Sequence, residues 1–401
     1  SLVNGLGKLL VPGFSEIPES EEDNREALYS RIQAIRQGIF VDPDVASPDL
    51  NPEFQGLTST PLNPLATELK LKAEGEPLVL DNPEDAIAWR YALKELNPFV
   101  ITGNNALYTP HNQNGELELF DPATGEGTLT GQYLEDRAAF LADLIRAHRD
   151  DTQVVPDFTR DRVYQDMDSG TTLYLNNPAQ TPNKEQYLFG SDRAGPAGRD
   201  ILTGRRAADH LFGQRGGDVL IGGKGSDHLE GGAGNDILFH HDNTNTLAED
   251  FTANDVEFAR KGIDTLKGGA GRDIYFIGRN DVLEDSDRQV QFIDFNGVLV
   301  GGEYTELAPG SGQYRNEANG LVLTVSGTQA TVRNVAAGTV FTLKNFKADG
   351  QDFNNGDFGI TLREAPPPVE ETTFTTGVAI GSVHCATIFP ETVNWYFRLA
   401  A

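Results

Sequence analysis

The 401-residue chain carries 60 acidic against 32 basic residues, a formal net charge of −28, which argues against a nucleic-acid ligand because the acidic excess repels phosphates. Its single cysteine, Cys385, excludes an intrachain disulfide, and no apolar run reaches the roughly 18 residues of a membrane span. Length allows two or three domains. The start, SLVNGLGKLLVPGF, lacks a basic leader and a Met, so the chain reads as an excised fragment of something larger.

In chain order, residues 1–185 read as a mixed helical and loop-rich region. A helix is expected over 24–37, with Leu28, Ile32 and Ile35 on one face. A second starts at Pro83, after Asp81 and Asn82, and carries Ile87, Tyr91 and Leu96 on its apolar face with Trp89 and Ala92 to the side. The longest spans 132–149, where Leu134, Ala138, Leu141 and Ile145 form a stripe above a charged face. Between them PFVITG reads as extended, and GELELF alternates as a strand does. X-Pro steps at Asp42, Ser47, Asn51, Thr60, Asn63, Asn82 and Asn97 break regularity and predict a loop-rich surface.

From Gly195 to Phe239 the chain repeats every nine residues, five times: GPAGRDILT, GRRAADHLF, GQRGGDVLI, GGKGSDHLE and GGAGNDILF. The sixth position is always aspartate (Asp200, Asp209, Asp218, Asp227, Asp236), and the eighth is always leucine (Leu202, Leu211, Leu220, Leu229, Leu238). After an interruption, read as a loop over 240–258, ARKGIDTLK and GGAGRDIYF restore the aspartate at Asp264 and Asp273. Glycine reaches backbone angles closed to other residues, so G-G-x-G makes a tight turn with inward carbonyls, and the following x-Leu-x is a minimal strand. A flexible Gly/Asp linker has no reason to hold leucine and aspartate in fixed phase.

G-G-x-G-x-D-x-U-x is the known signature of a calcium-binding β-helix, and the repeats resemble those of the RTX (repeats-in-toxin) proteins. The resemblance implies a parallel β-roll over 186–287 in which stacked turns offer carboxylates and glycine carbonyls, the six to eight oxygens that calcium takes at about 2.3–2.6 Å. The ligands it implies are Asp200, Asp209, Asp218, Asp227, Asp236, Asp264 and Asp273, with backbone contributions from Gly198, Gly216, Gly223, Gly225, Gly232, Gly234, Gly262, Gly269 and Gly271. If turns alternate sides, Asp200, Asp218, Asp236 and Asp273 line one edge and Asp209, Asp227 and Asp264 the other. Ions then bridge neighbours along each edge, from 200/218 to 236/273 and from 209/227 to 227/264. GRRAAD and ARKGID lack glycines of the pattern, which weakens or alters ligation there.

Residues 288–365 read as a β-sandwich-like cap on the roll, built from VQFIDF, GLVLTVSG, ATVRNV, TVFTLKNF and FGITLRE. The segment DIYFIGRNDVLEDSD…VLVGG…GQYRN…LVLTV…FGITL resembles the region that follows the repeats in large bacterial RTX proteins. WRYALKELNPFVITG…GELELFDPATGEGTLTGQYLEDRAAFL resembles the piece that joins an upstream lipase-like domain to the repeats. Residues 366–401 read as a tail. RTX family members often end in an uncleaved secretion signal.

No G-x-S-x-G and no H-E-x-x-H occurs, so the chain is expected to be non-catalytic. His240, His241 and Asp242 could chelate a transition metal, although such a triplet more often makes a polar loop. His111, His148 and the adjacent His384–Cys385 pair carry no catalytic context. Asp42–Pro43 and Asp121–Pro122 are candidate bonds for a calcium-activated self-cleaving module, against the ordinary reading of Asp-Pro as a turn. The run from Asp166 through Asp168 to Gly170 begins like an EF-hand loop, but Asn177 stands where the twelfth-position glutamate belongs.

The resemblance therefore implies a mainly β chain, the non-catalytic C-terminal region of a bacterial protein secreted to the exterior or cell surface. It would bind calcium as its cofactor, engage the type I secretion machinery and scaffold an upstream effector domain. A module of a calcium-dependent surface adhesin is the alternative from another class.

Overall fold

The computed structural model describes residues 58–121, 127–148, 162–175, 184–193, 195–240, 263–295, 297–347 and 357–365. The expected helix at 24–37, the first three X-Pro steps, Gly262, most of the insertion and the tail lie outside them.

Strand β1 (Thr58–Pro61) pairs antiparallel with β2 (Phe99–Thr102), the expected extended PFVITG. Between them lie α1 (Ala66–Glu74) and α2 (Ala86–Lys94), and α3 (Gly131–His148) follows. Helix α1 was not evident from the sequence. Only Leu69 and Ala73 of it are buried, so it carries no broad apolar stripe. It ends at Gly75, whose φ of 82° lets its N–H turn back to the Lys72 carbonyl. Helix α2 is entered, as expected, at Pro83, through a short turn, Pro83–Asp85, capped by Asn82, whose side chain accepts the Glu84 N–H. Tyr91 and Leu96 are buried as expected, Ala88, Trp89, Ala92 and Leu93 are buried with them, and Ile87 is only partly covered. In α3, Leu134, Ala138, Leu141 and Ile145 are buried as their spacing predicts.

GELELF does not form a strand. Asn112 Oδ1 accepts the Leu117 N–H and Glu116 Oε2 accepts the Asn114 N–H, each at 2.8 Å. These side chains offer the backbone local partners in place of a ladder, and the segment keeps only an isolated bridge from Leu119 to Leu129.

Strands β3 (Arg162–Asp166), β4 (Thr172–Tyr174) and β5 (Glu185–Phe189) lead into the repeats. From there strands alternate between two parallel stacks. One contains β7 (His210–Gly216), β9 (His228–Gly234), β11 (Thr265–Ala270) and β13 (Val282–Glu284). The other contains β6 (Ile201–Thr203), β8 (Val219–Ile221), β10 (Ile237–Phe239), β12 (Asp273–Ile277) and β14 (Val290–Phe295). Leucine stands on leucine in both. Leu188, Leu211, Leu229, Leu266 and Leu283 are in register along the first, and Leu202, Leu220 and Leu238 along the second, where Tyr275 continues the stack. All but Leu188 have no exposed surface, each contributing about 1.5–3 kcal/mol of burial. The parallel roll expected from the repeats is the architecture found.

The strands expected to form a cap continue this scaffold. Strands β15 (Gly302–Glu306), β16 (Gln313–Arg315), β17 (Leu321–Ser326), β18 (Gln329–Asn334), β19 (Thr339–Lys344) and β20 (Ile360–Arg363) extend the first sheet, with β19 parallel to β13. Val332, Phe341 and Leu343 join the leucine stack in one hydrophobic cluster. At the other end the helices pack on the face of β3, β5 and β7 through Phe140, Tyr164, Phe189 and Phe212. Among these rings Arg137 pairs with Asp166 and lies 4.7 Å over Phe189. Asp166, the first residue of the EF-hand-like run, is therefore a buried counter-ion and turn anchor. Its Oδ1 accepts the Ser169 N–H in the hairpin between β3 and β4, and Asp168 pairs with Arg193 at 3.4 Å.

Candidate metal centre

The turns joining the two stacks carry the repeat aspartates, and they fall into two ladders. On one edge Asp200 N–H donates to Asp218 Oδ1, Asp218 N–H to Asp236 Oδ1 and Asp236 N–H to Asp273 Oδ1, each at 2.8 Å. On the other, Asp209 N–H donates to Asp227 Oδ1 at 2.9 Å, and Asp227 N–H to Asp264 Oδ1 at 2.8 Å. Both ladders cross the insertion without losing step, because β9 pairs with β11 and β10 with β12 in unbroken register.

The second ladder runs one rung further than the repeat pattern indicates. Asp264 N–H donates to Asp281 Oδ1 at 3.0 Å, and Asp281 is buried. A nine-residue spacing misses Asp281, which follows Asp273 by eight residues. The signal was present in Asp281-Val-Leu283, which repeats the Asp-x-Leu of the six units before Asp273-Ile-Tyr275. Asp285, also buried, lies on the same stretch and accepts the Tyr275 hydroxyl at 2.6 Å.

With one carboxylate oxygen tied to the neighbouring rung, the other decides what the ladder can bind. The Oδ2 atoms of Asp218, Asp227, Asp236 and Asp273 are buried and have no hydrogen-bond partner. These four follow GQRGGD, GGKGSD, GGAGND and GGAGRD. The degenerate turn GRRAAD behaves differently, since Asp209 Oδ2 accepts the Arg205 N–H. Asp200 Oδ2 likewise accepts the Ser191 N–H.

Backbone carbonyls stand near the orphaned oxygens. A Cβ added to Gly231 would lie 2.4 Å from Asp236 Oδ2 and 2.7 Å from the Gly268 carbonyl oxygen. At Gly213 the corresponding atoms are Asp218 Oδ2 at 2.6 Å and the Gly231 oxygen at 2.5 Å. Turn also stacks on turn: a Cβ on Gly234 would meet the Gly216 oxygen at 1.4 Å. Of the predicted glycines, Gly216, Gly223, Gly225, Gly232, Gly234, Gly269 and Gly271 all have positive φ. Gly198, in the short turn Gly195–Gly198, faces the Arg215 carbonyl.

Electrostatics point the same way. Burial pushes the carboxyls of Asp227 and Asp236 up to about 8, with ladder neighbours Asp264 and Asp273 adding to it. Burial likewise raises Asp218 and Asp273 to about 7 and Asp285 to about 8. Asp209 rises only to about 6, since the N–H donors of Arg205 and Gln186 oppose its burial. Stacked buried carboxylates with unpartnered oxygens, beside backbone carbonyls, are a donor set for a hard cation. The residues present fit calcium.

Other sequence candidates fall elsewhere. His111 packs its ring 4.9 Å from Tyr91. The His148 side chain, His241, Asp242, His384, Cys385, Asp42–Pro43, Pro122 and Asn177 lie outside the described residues. His240 is described: its Nδ1 stands 3.7 Å from Asp264 Oδ2 and 3.5 Å from Asp281 Oδ2, and burial lowers its pKa. A separate polar network joins the helices to the roll. His210 Nδ1 contacts Asp136 at 2.6 Å, and Glu230 takes contacts from Thr130, His228 and Lys267. Burial alone would raise Glu230, but His228 and Lys267 hold it down at about 2.

Among the described residues no helix is long and apolar enough to cross a membrane. No curated protein matches the chain. Residues 195–220, 212–247 and 252–282 match the model of the RTX calcium-binding nonapeptide repeat, in four copies, the same stretch that builds the leucine stacks and both aspartate ladders. Residues 195–282 thus carry RTX calcium-binding nonapeptide repeats.

Proposed function

We propose that the chain is the non-catalytic C-terminal region of a secreted bacterial RTX protein, whose roll folds on calcium after export through a type I secretion channel and scaffolds an upstream effector domain. The resemblance of residues 89–141 to the segment behind RTX lipases makes a lipase-like effector the first choice. In this reading the functional divisions are 1–185, the roll at 186–287, the capping strands to 365 and a terminal secretion tail.

The observation that carries the reading is the set of four buried carboxylate oxygens without a partner, on Asp218, Asp227, Asp236 and Asp273. Bound calcium supplies the positive charge that lets these carboxylates ionise inside the fold. Asp218, Asp227, Asp236 and Asp273 would hold it with glycine carbonyls of adjacent turns, each ion joining two rungs. Without it, like charges a few ångströms apart cost on the order of 1–4 kcal/mol per pair, and one leucine per turn offsets little of the ordering entropy, about 1–2 kcal/mol per residue. Binding and folding are then one event. A cytosol poor in calcium keeps the segment extended for export, and extracellular levels near about 10⁻⁴–10⁻³ M fold it.

Circular dichroism of the full chain, titrated with calcium from an EDTA-treated start, tests this. We expect β signal to appear cooperatively in that concentration range. A spectrum and melting curve indifferent to calcium would refute the reading.

A further inference from the structure

His240 occupies a position that the repeat reserves for glycine. Counting by nine from Gly222 and Gly231, it is the first residue of the unit that the insertion interrupts. Its backbone behaves as the repeat requires: the His240 N–H donates to the Phe276 carbonyl just as Gly222 N–H donates to Phe239. Its side chain has no counterpart in the other turns. The imidazole lies over the bare Cα of Gly278, where an added Cβ would come within 2.3 Å of His240 Cε1 and 2.5 Å of Nδ1. Gly278 is therefore the residue that makes room for the ring.

The ring is aimed at the last rung of the second ladder. His240 Nδ1, Asp264 Oδ2 and Asp281 Oδ2 all lie within 4.8 Å of one another. The two nitrogen–oxygen separations, 3.5 and 3.7 Å, approach the edge of a tetrahedron drawn around zinc, where ligands about 2.0–2.2 Å from the ion stand roughly 3.3–3.5 Å apart. Both carboxylates are buried and held from behind. Asp264 Oδ1 is fixed by the Asp227 N–H, Asp281 Oδ1 by the Asp264 N–H, and Asp281 Oδ2 receives the Gly278 N–H at 2.6 Å. Such outer contacts orient ligands in metal sites. The His240 side chain is 18% exposed, so the cluster is not sealed from solvent.

We infer that His240, Asp264 and Asp281 form a site for a zinc-class divalent cation, distinct in chemistry from the all-oxygen positions of the ladders. One imidazole and two carboxylate oxygens fall short of the six to eight oxygens calcium takes. A nitrogen donor shifts preference toward zinc, nickel and copper. The inference does not require the calcium reading, since it is carried by the imidazole and by Asp281, although Asp264 also belongs to the second ladder.

The test uses the full chain in millimolar calcium, with zinc as probe and Co²⁺ as spectroscopic reporter. Wild type should retain one more equivalent of zinc after dialysis than His240→Gly, which restores the residue of the repeat and removes only the ring. Co²⁺ should give the visible absorption of a four-coordinate site in wild type alone. Losing an outer partner costs about 10–100-fold in metal affinity, so losing the imidazole should weaken zinc binding at least that much. Asp281→Asn should do the same. Circular dichroism in calcium establishes that both variants are folded. Equal zinc binding by wild type and the folded His240→Gly chain would overturn the inference, as would failure of wild type to bind zinc or its displacement by calcium at comparable concentration. Loss of calcium-dependent folding in wild type would refute the calcium reading and leave the zinc result standing.

Discussion

Asp218 and Asp236 lie on successive rungs of one ladder, the N–H of the first donating to Oδ1 of the second at 2.8 Å, while Oδ2 of each is buried and unpartnered. The backbone thus aligns the carboxylates without neutralising them.

Asp236→Asn and Asp209→Asn should separate the two kinds of rung. Asp236 offers a free oxygen between glycine turns, whereas Asp209 Oδ2 already holds the Arg205 N–H. In calcium, the change at 236 should lower stability by about 1–3 kcal/mol, the scale of a lost buried polar interaction, and shift the calcium midpoint upward. The change at 209 should do less. In EDTA the sign reverses at 236, because the amide removes a charge that the metal-free fold disfavours. Melting curves of both variants, with and without calcium, read all four outcomes.

Metal-free stability should depend steeply on pH. Folded carboxyl pKa values stand at about 7 for Asp218 and Asp273 and about 8 for Asp227 and Asp236, against about 3.9 in the unfolded chain. A raised folded pKa means the native state binds more protons. Its contribution is fully present below the unfolded value and lost as pH rises through the folded one. In EDTA the melting temperature should therefore fall between about pH 5 and 8. In calcium it should rise over the same range, because ligands must shed protons to bind metal. Parallel slopes in the two conditions would contradict the assignment of these aspartates.

Gly234→Ala should be severe and Gly327→Ala mild. A Cβ at 234 would lie 1.4 Å from the Gly216 oxygen, whereas at 327 nothing lies within 4 Å and only a φ of 62° opposes the change. We expect roughly 1–2 kcal/mol at 327, the cost of a left-handed non-glycine residue. At 234 the loss should exceed about 4 kcal/mol, with the roll failing to form at ordinary calcium levels. Chemical denaturation in excess calcium measures both.

Arg137→Ala should destabilise the helical end whether or not calcium is present. Its guanidinium is fully buried, pairs with Asp166 and donates to the Leu93 carbonyl. Removing it strands a buried carboxylate, which costs about 3–5 kcal/mol. A melting shift of similar size in calcium and in EDTA is the expected result.

The repeats, with the family resemblance they carry, determined the roll. Asp at position six and leucine at position eight recur with a nine-residue step, so the parallel stacks, the buried leucines and every ladder rung but Asp281 were legible before any coordinates. The stripe Leu134, Ala138, Leu141 and Ile145 determined α3 in the same way. Patterns that depend on chain neighbours carry through because their causes are local.

What remained hidden depends on partners far along the chain. GELELF alternates like a strand, yet Asn112 and Glu116 capture its backbone first. The Asp166 run reads like a calcium loop until Arg137, 29 residues upstream, claims its carboxylate. The capping strands join the roll's own sheet because β13 leaves an edge that β19 fills. Asp281 completes a rung, and His240 meets it across an insertion, only because stacking ignores sequence distance. A spacing rule counts residues along the chain, whereas hydrogen bonds and metal donors are selected by separation in space, and that only the tertiary structure decided.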